Sequence, residues 1–156
     1  MTDRRLKKKR TAERRKRKSR RQVQYAALPY RAKGKSELEI MLVTSRGTGR
    51  WIIPKGWPKR GIPAYDTAAK EAFEEAGVIG KVSKRPIGSY PYDKILEEGD
   101  KARCRVQVFA LRVTRQHKRW PEKRQRQIIW YPPAEAVRVV GELRLRRIIR
   151  KFAKRR

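Results

Sequence analysis

The segment over residues 66–78 places the strongest constraint on the fold. Asp66 and Thr67 supply the chemistry of a helix start, an alanine-rich stretch follows, and Gly77 suits a left-handed helix end. The pattern predicts a helix of about three turns that stops at this glycine.

Three glutamates share one side of this predicted helix. Glu71, Glu74 and Glu75 are spaced i, i+3 and i+4 and should present their carboxylates together. The residues predicted to form the opposite, packed face are Ala69, Ala72, Phe73 and Ala76. Like charges at this spacing repel by roughly 3 kcal/mol per pair at an effective dielectric of about 20. Mg²⁺ or Mn²⁺ would relieve the repulsion, because both prefer carboxylate oxygens. The alternative is a solvated acidic surface.

The distribution of charge predicts an arm and a folded domain. The chain of 156 residues has 45 Lys and Arg against 15 acids, a net charge of +30. Residues 1–22 hold 13 of the basic residues and 2 of the acids, with almost nothing to bury. We therefore expect a disordered basic arm at residues 1–22 and one folded domain at residues 23–156.

The folded domain is itself basic, with a charge of +19 over residues 23–156. Such an excess favours a polyanionic partner. The alternative is a general adaptation to a cytosol rich in nucleic acid.

Apolar runs and turn residues predict the remaining elements. The predicted strands are residues 23–30, 38–44, 51–53, 104–113 and 127–131, with a further extended segment over 78–92 and a turn at 97–100. Two helices are expected at 134–140 and 142–152. The residues expected to pack inward from the last helix are Leu143, Ile148 and Phe152. Those expected to remain solvated are Arg144, Arg147, Arg150 and Lys151.

Several classes of protein are disfavoured. Cys104 is the one cysteine and permits no internal disulfide. No apolar run approaches the ~20 residues of a membrane span, so no membrane partner is expected. The basic N-terminus has no apolar region behind it, and we therefore expect a cytoplasmic location.

The acidic helix lies in a longer pattern that resembles the Nudix box. Gly56, five residues, Ile62 and seven residues precede residues 70–78, whose sequence is Lys-Glu-Ala-Phe-Glu-Glu-Ala-Gly-Val. The family pattern is Gly-x5-Glu-x7-Arg-Glu-apolar-x-Glu-Glu-x-Gly-apolar, and seven of its nine defining positions match. Residues 51–58, 87–90 and 130–132 resemble bacterial relatives of the diphosphoinositol polyphosphate phosphohydrolases, a similarity that covers about residues 23–152.

Two positions depart from the box. Ile62 stands where the family has Glu, and Lys70 where it has Arg. The resemblance implies that these side chains help to brace the catalytic helix, and lysine lacks the planar, multi-donor fork of arginine. Lower activity is one expected consequence.

The resemblance implies an α/β/α sandwich around a mixed sheet, with the box helix and its preceding loop as the active site. Glu71, Glu74 and Glu75 would hold Mg²⁺ or Mn²⁺ together with the backbone carbonyl of Gly56, and water would attack phosphorus. The candidates to orient or deprotonate that water are Glu74 and Glu122.

The candidate phosphate ligands flank the predicted strand at Trp51. They are Arg46, Arg50 and Lys55, whose alternative role is ordinary solvated surface. The resemblance favours inositol pyrophosphates or dinucleoside polyphosphates as substrates. The rival hypothesis is a non-catalytic or weakly catalytic protein on the same scaffold that binds RNA or another polyanion through its basic arm and terminal helix.

Overall fold

A computed structural model describes residues 2–20, 22–95, 99 and 101–156. The helices are α1 (Thr2–Arg20), α2 (Ala64–Ala76), α3 (Pro133–Val139) and α4 (Leu143–Lys154). The strands are β1 (Val23–Lys33), β2 (Glu37–Thr44), β3 (Trp51–Ile52), β4 (Lys55–Gly56), β5 (Val78–Val82), β6 (Gly88–Ile95), β7 (Lys101–Gln116) and β8 (Ile128–Tyr131). Residues 97, 98 and 100 of the predicted turn lie outside the described part.

The long strand β7 organises the sheet. It runs parallel to β1 on one side, and on the other it pairs antiparallel with β6 along its first half and with β5 along its second. The strand order of the sheet is β3-β2-β1-β7-β5, and β4 also pairs with β1 and β8 with β2. The predicted mixed sheet with flanking helices is confirmed.

The core lies where the helices cover the sheet. Ala26 to Leu28 of β1 and Ile40 to Val43 of β2 are fully buried. Such continuous apolar runs are typical of strands covered on both faces. Tyr30 of β1 meets Phe152 of α4 edge to face, with ring centroids 4.8 Å apart.

Some predicted details of the elements were wrong. Residues 78–92 form two strands rather than one extended segment, and the strand at Trp51 ends at Ile52. Leu143, predicted to pack inward, is 70% exposed because it begins α4 on the outer side of the helix. The buried residues of α4 are Leu145, Ile148, Ile149 and Phe152.

The predicted basic arm contains helix α1, and its disorder in the absence of a partner stays a prediction. Helix α1 covers residues 2–20, in keeping with the high helix propensity of lysine, arginine and alanine. The side chains of residues 3–12 are exposed, so this part of the helix buries nothing. A domain boundary at residue 22 stays a prediction. No described helix is long and apolar enough to cross a membrane.

Gly77 ends α2 in a left-handed conformation, with φ of 71° and its N–H donated to the carbonyl of Phe73 at 2.8 Å. The indole of Trp120 packs directly on this glycine, and a Cβ placed there would overlap the ring. The segment after β7 is thereby held against the end of the helix.

We predict that Gly77→Ala destabilises the protein more than Gly61→Ala. Gly61 has a similar φ of 76° but open space around it, so its substitution costs only backbone strain, about 1 kcal/mol. At Gly77 the overlap with Trp120 adds to that strain, for a total of about 3 kcal/mol. Urea denaturation of the two variants makes the comparison. Equal losses of stability would show that the contact with Trp120 does not constrain the helix end.

Candidate active site

The loop from β4 to α2 brings Gly56 against Glu71. A Cβ at position 56 would overlap the carboxyl group of Glu71, so only glycine allows this approach. The backbone of Gly56 and the Glu71 carboxylate therefore adjoin each other, as the sequence predicts for two ligands of one cation.

Glu75 is buried rather than presented to solvent. Its exposed fraction is 2%, and it lies on the packed side of α2 with Ala68, Ala72 and Ala76. The predicted packed face was therefore partly wrong. It included Ala69 and Phe73, which are only partly buried, and it left out Glu75, which is buried. Glu75 follows Ala72 by three residues and Ala68 by seven, spacings that put it on the same side of the helix as these core alanines.

Two donors satisfy the buried Glu75 carboxylate. The N–H of Lys55 donates to Oε2 at 2.8 Å, and Arg126 Nη2 lies 2.7 Å from Oε1. Burial raises the pKa of Glu75, while Arg126 and Lys55 oppose that shift. The carboxylate thus links Lys55 of β4 to Arg126, which lies 71 positions further along the chain.

Arg126 also positions Glu122. Its Nη2 lies 3.2 Å from Glu122 Oε1, and its Nη1 donates to the carbonyl of Thr44 at 3.0 Å. Arg46 approaches the same Glu122 oxygen at 3.5 Å. The structure therefore brings Glu122 to the acidic helix, as the candidate assignment requires, through an arginine that the sequence analysis did not single out.

The segment that carries Glu122 is fastened to the end of α2. The N–H of Glu122 donates to the carbonyl of Glu74 at 3.0 Å, and the N–H of His117 donates to that of Gly77 at 2.8 Å. Gln116 Nε2 donates to the carbonyl of Ala76 at 2.8 Å. These bonds satisfy carbonyls that the last turn of a helix leaves without partners.

Lys59 bridges the other two glutamates of the box. Its Nζ lies 3.3 Å from an oxygen of Glu71 and 3.3 Å from one of Glu74. Partial burial lowers the pKa of Lys59, but the two carboxylates outweigh it and hold the pKa above its ordinary value. Burial raises the pKa of Glu71, and Lys59 opposes that shift.

The donor set suits a hard divalent cation. Within the described ranges, no three acidic, histidine or cysteine side chains converge closely enough to enclose a metal. However, the ammonium of Lys59 lies at a position that the carboxylates of both Glu71 and Glu74 can reach. Gly56 lies next to Glu71 at the same place. Carboxylate and carbonyl oxygens are the ligands that Mg²⁺ prefers.

A cationic cavity of about 320 Å³ opens beside Glu75. Its basic lining residues are Arg46, Arg50, Lys55, Lys94 and Arg126. The three predicted phosphate ligands are thus brought together, although their role stays a prediction. Lys94 and Arg126 could not be identified from any motif, because sheet pairing and the loop after β7 bring them here.

Aromatic and amide groups complete the cavity. Arg50 Nη2 donates to the Tyr92 hydroxyl at 3.1 Å, and Lys55 Nζ lies 3.9 Å from the centre of the Tyr92 ring. Burial lowers the pKa of Lys55 to about 8. Gln24 is 1% exposed, and its Oε1 has no hydrogen-bond partner within the described part of the chain. That oxygen is free to accept a hydrogen bond from a ligand.

The two departures from the Nudix box lie outside this cavity. Ile62 is half-buried and Lys70 is exposed, and both line an open groove of about 800 Å³ with Phe73 and Ile79. Among the described residues, Lys70 forms no ion pair. The bonds from the segment after β7 hold the C-terminal end of α2.

We predict that Arg126→Gln lowers the free energy of unfolding by about 3 kcal/mol or more, because it leaves a buried carboxylate without its partner. Arg138→Gln is the matched control, since its 3.7 Å pair with Glu135 is exposed on both sides. That variant should lose less than about 1 kcal/mol. Denaturant unfolding measures both. Similar small losses would contradict a structural role for the Glu75 pair.

Comparisons with known proteins agree with this architecture. The model of the NUDIX domain matches residues 20–152. Nudix hydrolase 17, mitochondrial, from Arabidopsis thaliana is 33% identical over 125 residues, which are 76% of this chain and 66% of that protein. Diphosphoinositol polyphosphate phosphohydrolase 3-beta from Bos taurus is 29% identical over 119 residues, 74% of this chain and 66% of that protein. The chain spans about 59% to 66% of the lengths of the first curated relatives it matches.

Solved structures show the same fold at low sequence identity. The E. coli dihydroneopterin triphosphate pyrophosphohydrolase has a TM-score of 0.65 at 14% identity, covering 88% of this chain and 98% of that one. A C. elegans Ap4A hydrolase binary complex has a TM-score of 0.62 at 17% identity, covering 85% of this chain and 95% of that one. Since the family model spans most of the chain and the box glutamates lie together on α2, this protein belongs to the NUDIX domain family.

Proposed function

We propose that this protein is a metal-dependent hydrolase that cleaves diphosphate bonds in a highly phosphorylated substrate. The observation that carries the proposal is a cluster of box glutamates directly beside a cationic cavity, with Glu75 lining that cavity. Phosphate groups would lie against the cations while the bond to be cleaved lies near the carboxylates.

Glu71, Glu74, Glu75 and the carbonyl of Gly56 would hold Mg²⁺ or Mn²⁺. A cation at that position supplies Lewis-acid activation of water and neutralises phosphate charge. Lys59, which occupies the point shared by Glu71 and Glu74, would release at least one of them for the cation. Glu74 is half-buried at the edge of the cluster and is a candidate to orient or deprotonate the attacking water.

Glu122 has a more limited role in this proposal. Arg126 and Arg46 both approach its Oε1 and hold the side chain in place. With its side chain held in this way, Glu122 is suited to orient Arg46 toward the substrate.

Inositol pyrophosphates and dinucleoside polyphosphates are the proposed substrates. Five basic side chains and one acidic side chain line the cavity, so it suits several phosphates at once. Relatives of the chain include a diphosphoinositol polyphosphate phosphohydrolase, and structural neighbours include an Ap4A hydrolase. Binding of RNA through the arm and a cytoplasmic location also stay predictions; some of the plant relatives are named as mitochondrial.

We predict that Glu71→Gln lowers turnover at least about a hundredfold, because metal binding supplies several kcal/mol of transition-state stabilisation. The carboxamide keeps the shape that packs against Gly56, so the thermal unfolding temperature should change little. Glu135→Gln on the exposed side of α3 is the control and should retain full turnover. Full turnover by the Glu71 variant at saturating Mg²⁺ would exclude this site as the catalytic centre.

We predict that Lys59→Gln binds Mn²⁺ several-fold more tightly than the wild type, because the ammonium competes for Glu71 and Glu74. Lys70→Gln is the control. This variant also loses one positive charge near the glutamates, but Lys70 forms no ion pair with Glu71 or Glu74. Isothermal titration calorimetry without substrate measures both variants. Equal changes in Mn²⁺ affinity for the two variants would show that only net charge matters. Weaker Mn²⁺ binding by the Lys59 variant would show that Lys59 stabilises the metal site instead of competing with the metal.

A further inference from the structure

Helix α4 carries a continuous basic surface that the hydrolytic site does not use. Its sequence contains no acidic residue, and its apolar side is buried in the core. The exposed cations, here called the α4 basic face, are Arg144, Arg147, Arg150, Lys151 and Lys154. Four of them follow the i, i+3, i+7, i+10 spacing of a single helical stripe, about 15 Å long.

The α4 basic face has no internal charge compensation. Among the ion pairs of the described residues, none includes any of its five members. Like charges three or four residues apart destabilise an isolated helix. Arg144 is also at the N-terminal end of α4, where the helix dipole disfavours a cation. An external anion would remove these costs.

Neighbouring cations extend the surface at both ends. Arg144 lines an open cavity of about 700 Å³ with Arg103 and Arg105 of β7, next to Gln22, which immediately precedes β1. Arg150 and Lys154 share a second cavity with Arg138 of α3. None of the five residues of the α4 basic face lines the cationic cavity beside Glu75.

We propose that the α4 basic face is a second binding site, which takes the phosphate backbone of nucleic acid without reading its sequence. A stripe of about 15 Å spans roughly four phosphates at a rise of 3.4 Å per nucleotide, a number similar to its cations. Phe152, the one aromatic residue of α4, is buried, so no ring of this helix is free to stack on a base.

An anionic membrane fits this surface less well. A helix that lies on a membrane inserts its apolar side among the lipids. In α4 that side consists of Leu145, Ile148, Ile149 and Phe152, which pack in the protein core. Leu143 is the one large apolar side chain that α4 exposes strongly. The geometry therefore favours a partner bound by charge alone.

The test compares two full-length variants that lose the same charge. The first replaces the five members of the α4 basic face with glutamine, which retains helix propensity. The second replaces five exposed cations elsewhere, namely Lys33, Lys35, Lys81, Lys84 and Arg85. Binding of a labelled single-stranded RNA with a 5′-hydroxyl is followed by fluorescence anisotropy over a range of salt concentrations. Circular dichroism checks that each variant is folded.

Neutralising the α4 basic face should reduce the slope of log affinity against log salt by about 3, since each phosphate contact contributes about 0.7 for a single strand. The matched variant should change the slope by less than about 1. If the five-site variant is unfolded, the pair Arg147→Gln with Lys151→Gln is compared with Lys81→Gln with Lys84→Gln, and the expected difference is about 1.4.

Equal slopes for the two matched variants would overturn the proposal, because binding would then depend on net charge alone. It would also fail if anionic lipid vesicles bound the wild type through the α4 basic face while RNA binding did not depend on it. Turnover of a small diphosphate substrate should be the same in wild type and the α4 variant. If neither the wild type nor the α4 variant hydrolysed any substrate, the proposed function would be rejected, while the RNA-binding result would still hold.

Discussion

The buried ion pair between Glu75 and Arg126 is the interaction on which the rest of the site depends. It joins the inner side of α2 to the segment after β7, which backbone hydrogen bonds also hold against the end of that helix. The same arginine holds Glu122 and the carbonyl of Thr44. Three separate parts of the chain are therefore fixed by one guanidinium whose side chain is 9% exposed. Buried charges of this kind require partners, so the arrangement is strongly coupled.

Charge compensation also connects the fold to the proposed chemistry. A concentration of glutamates on one helix is costly in the absence of nearby cations. Lys59 offsets the cost at Glu71 and Glu74, and Arg126 does so at Glu75 and Glu122. The cations of the neighbouring cavity extend the same positive field beyond the glutamates. The carboxylates and the cations thus stabilise each other, and the proposed metal and phosphate ligands would bind to groups that are already paired.

The sequence predicted the parts of the structure that depend on local periodicity and on the Nudix box. The helix ending at Gly77, the mixed sheet and the proximity of Glu71 to Glu74 follow from those patterns. The burial of Glu75 could not be predicted in this way, because its partner Arg126 is distant in sequence and belongs to no recognised motif. Leu143 was misplaced because a helix's first turn is least constrained by its apolar period. Lysine and arginine favour helix, in keeping with helix α1 in the predicted basic arm.

The most direct test of the account is hydrolysis by the wild-type protein. Release of phosphate or pyrophosphate would be measured on a panel of inositol pyrophosphates and dinucleoside polyphosphates, with Mg²⁺, with Mn²⁺ and with a chelator. The account predicts turnover of at least one densely phosphorylated member that requires the divalent cation. Inertness across the panel, or turnover unaffected by the chelator, would contradict the claim that the box glutamates and the cationic cavity form one hydrolytic site.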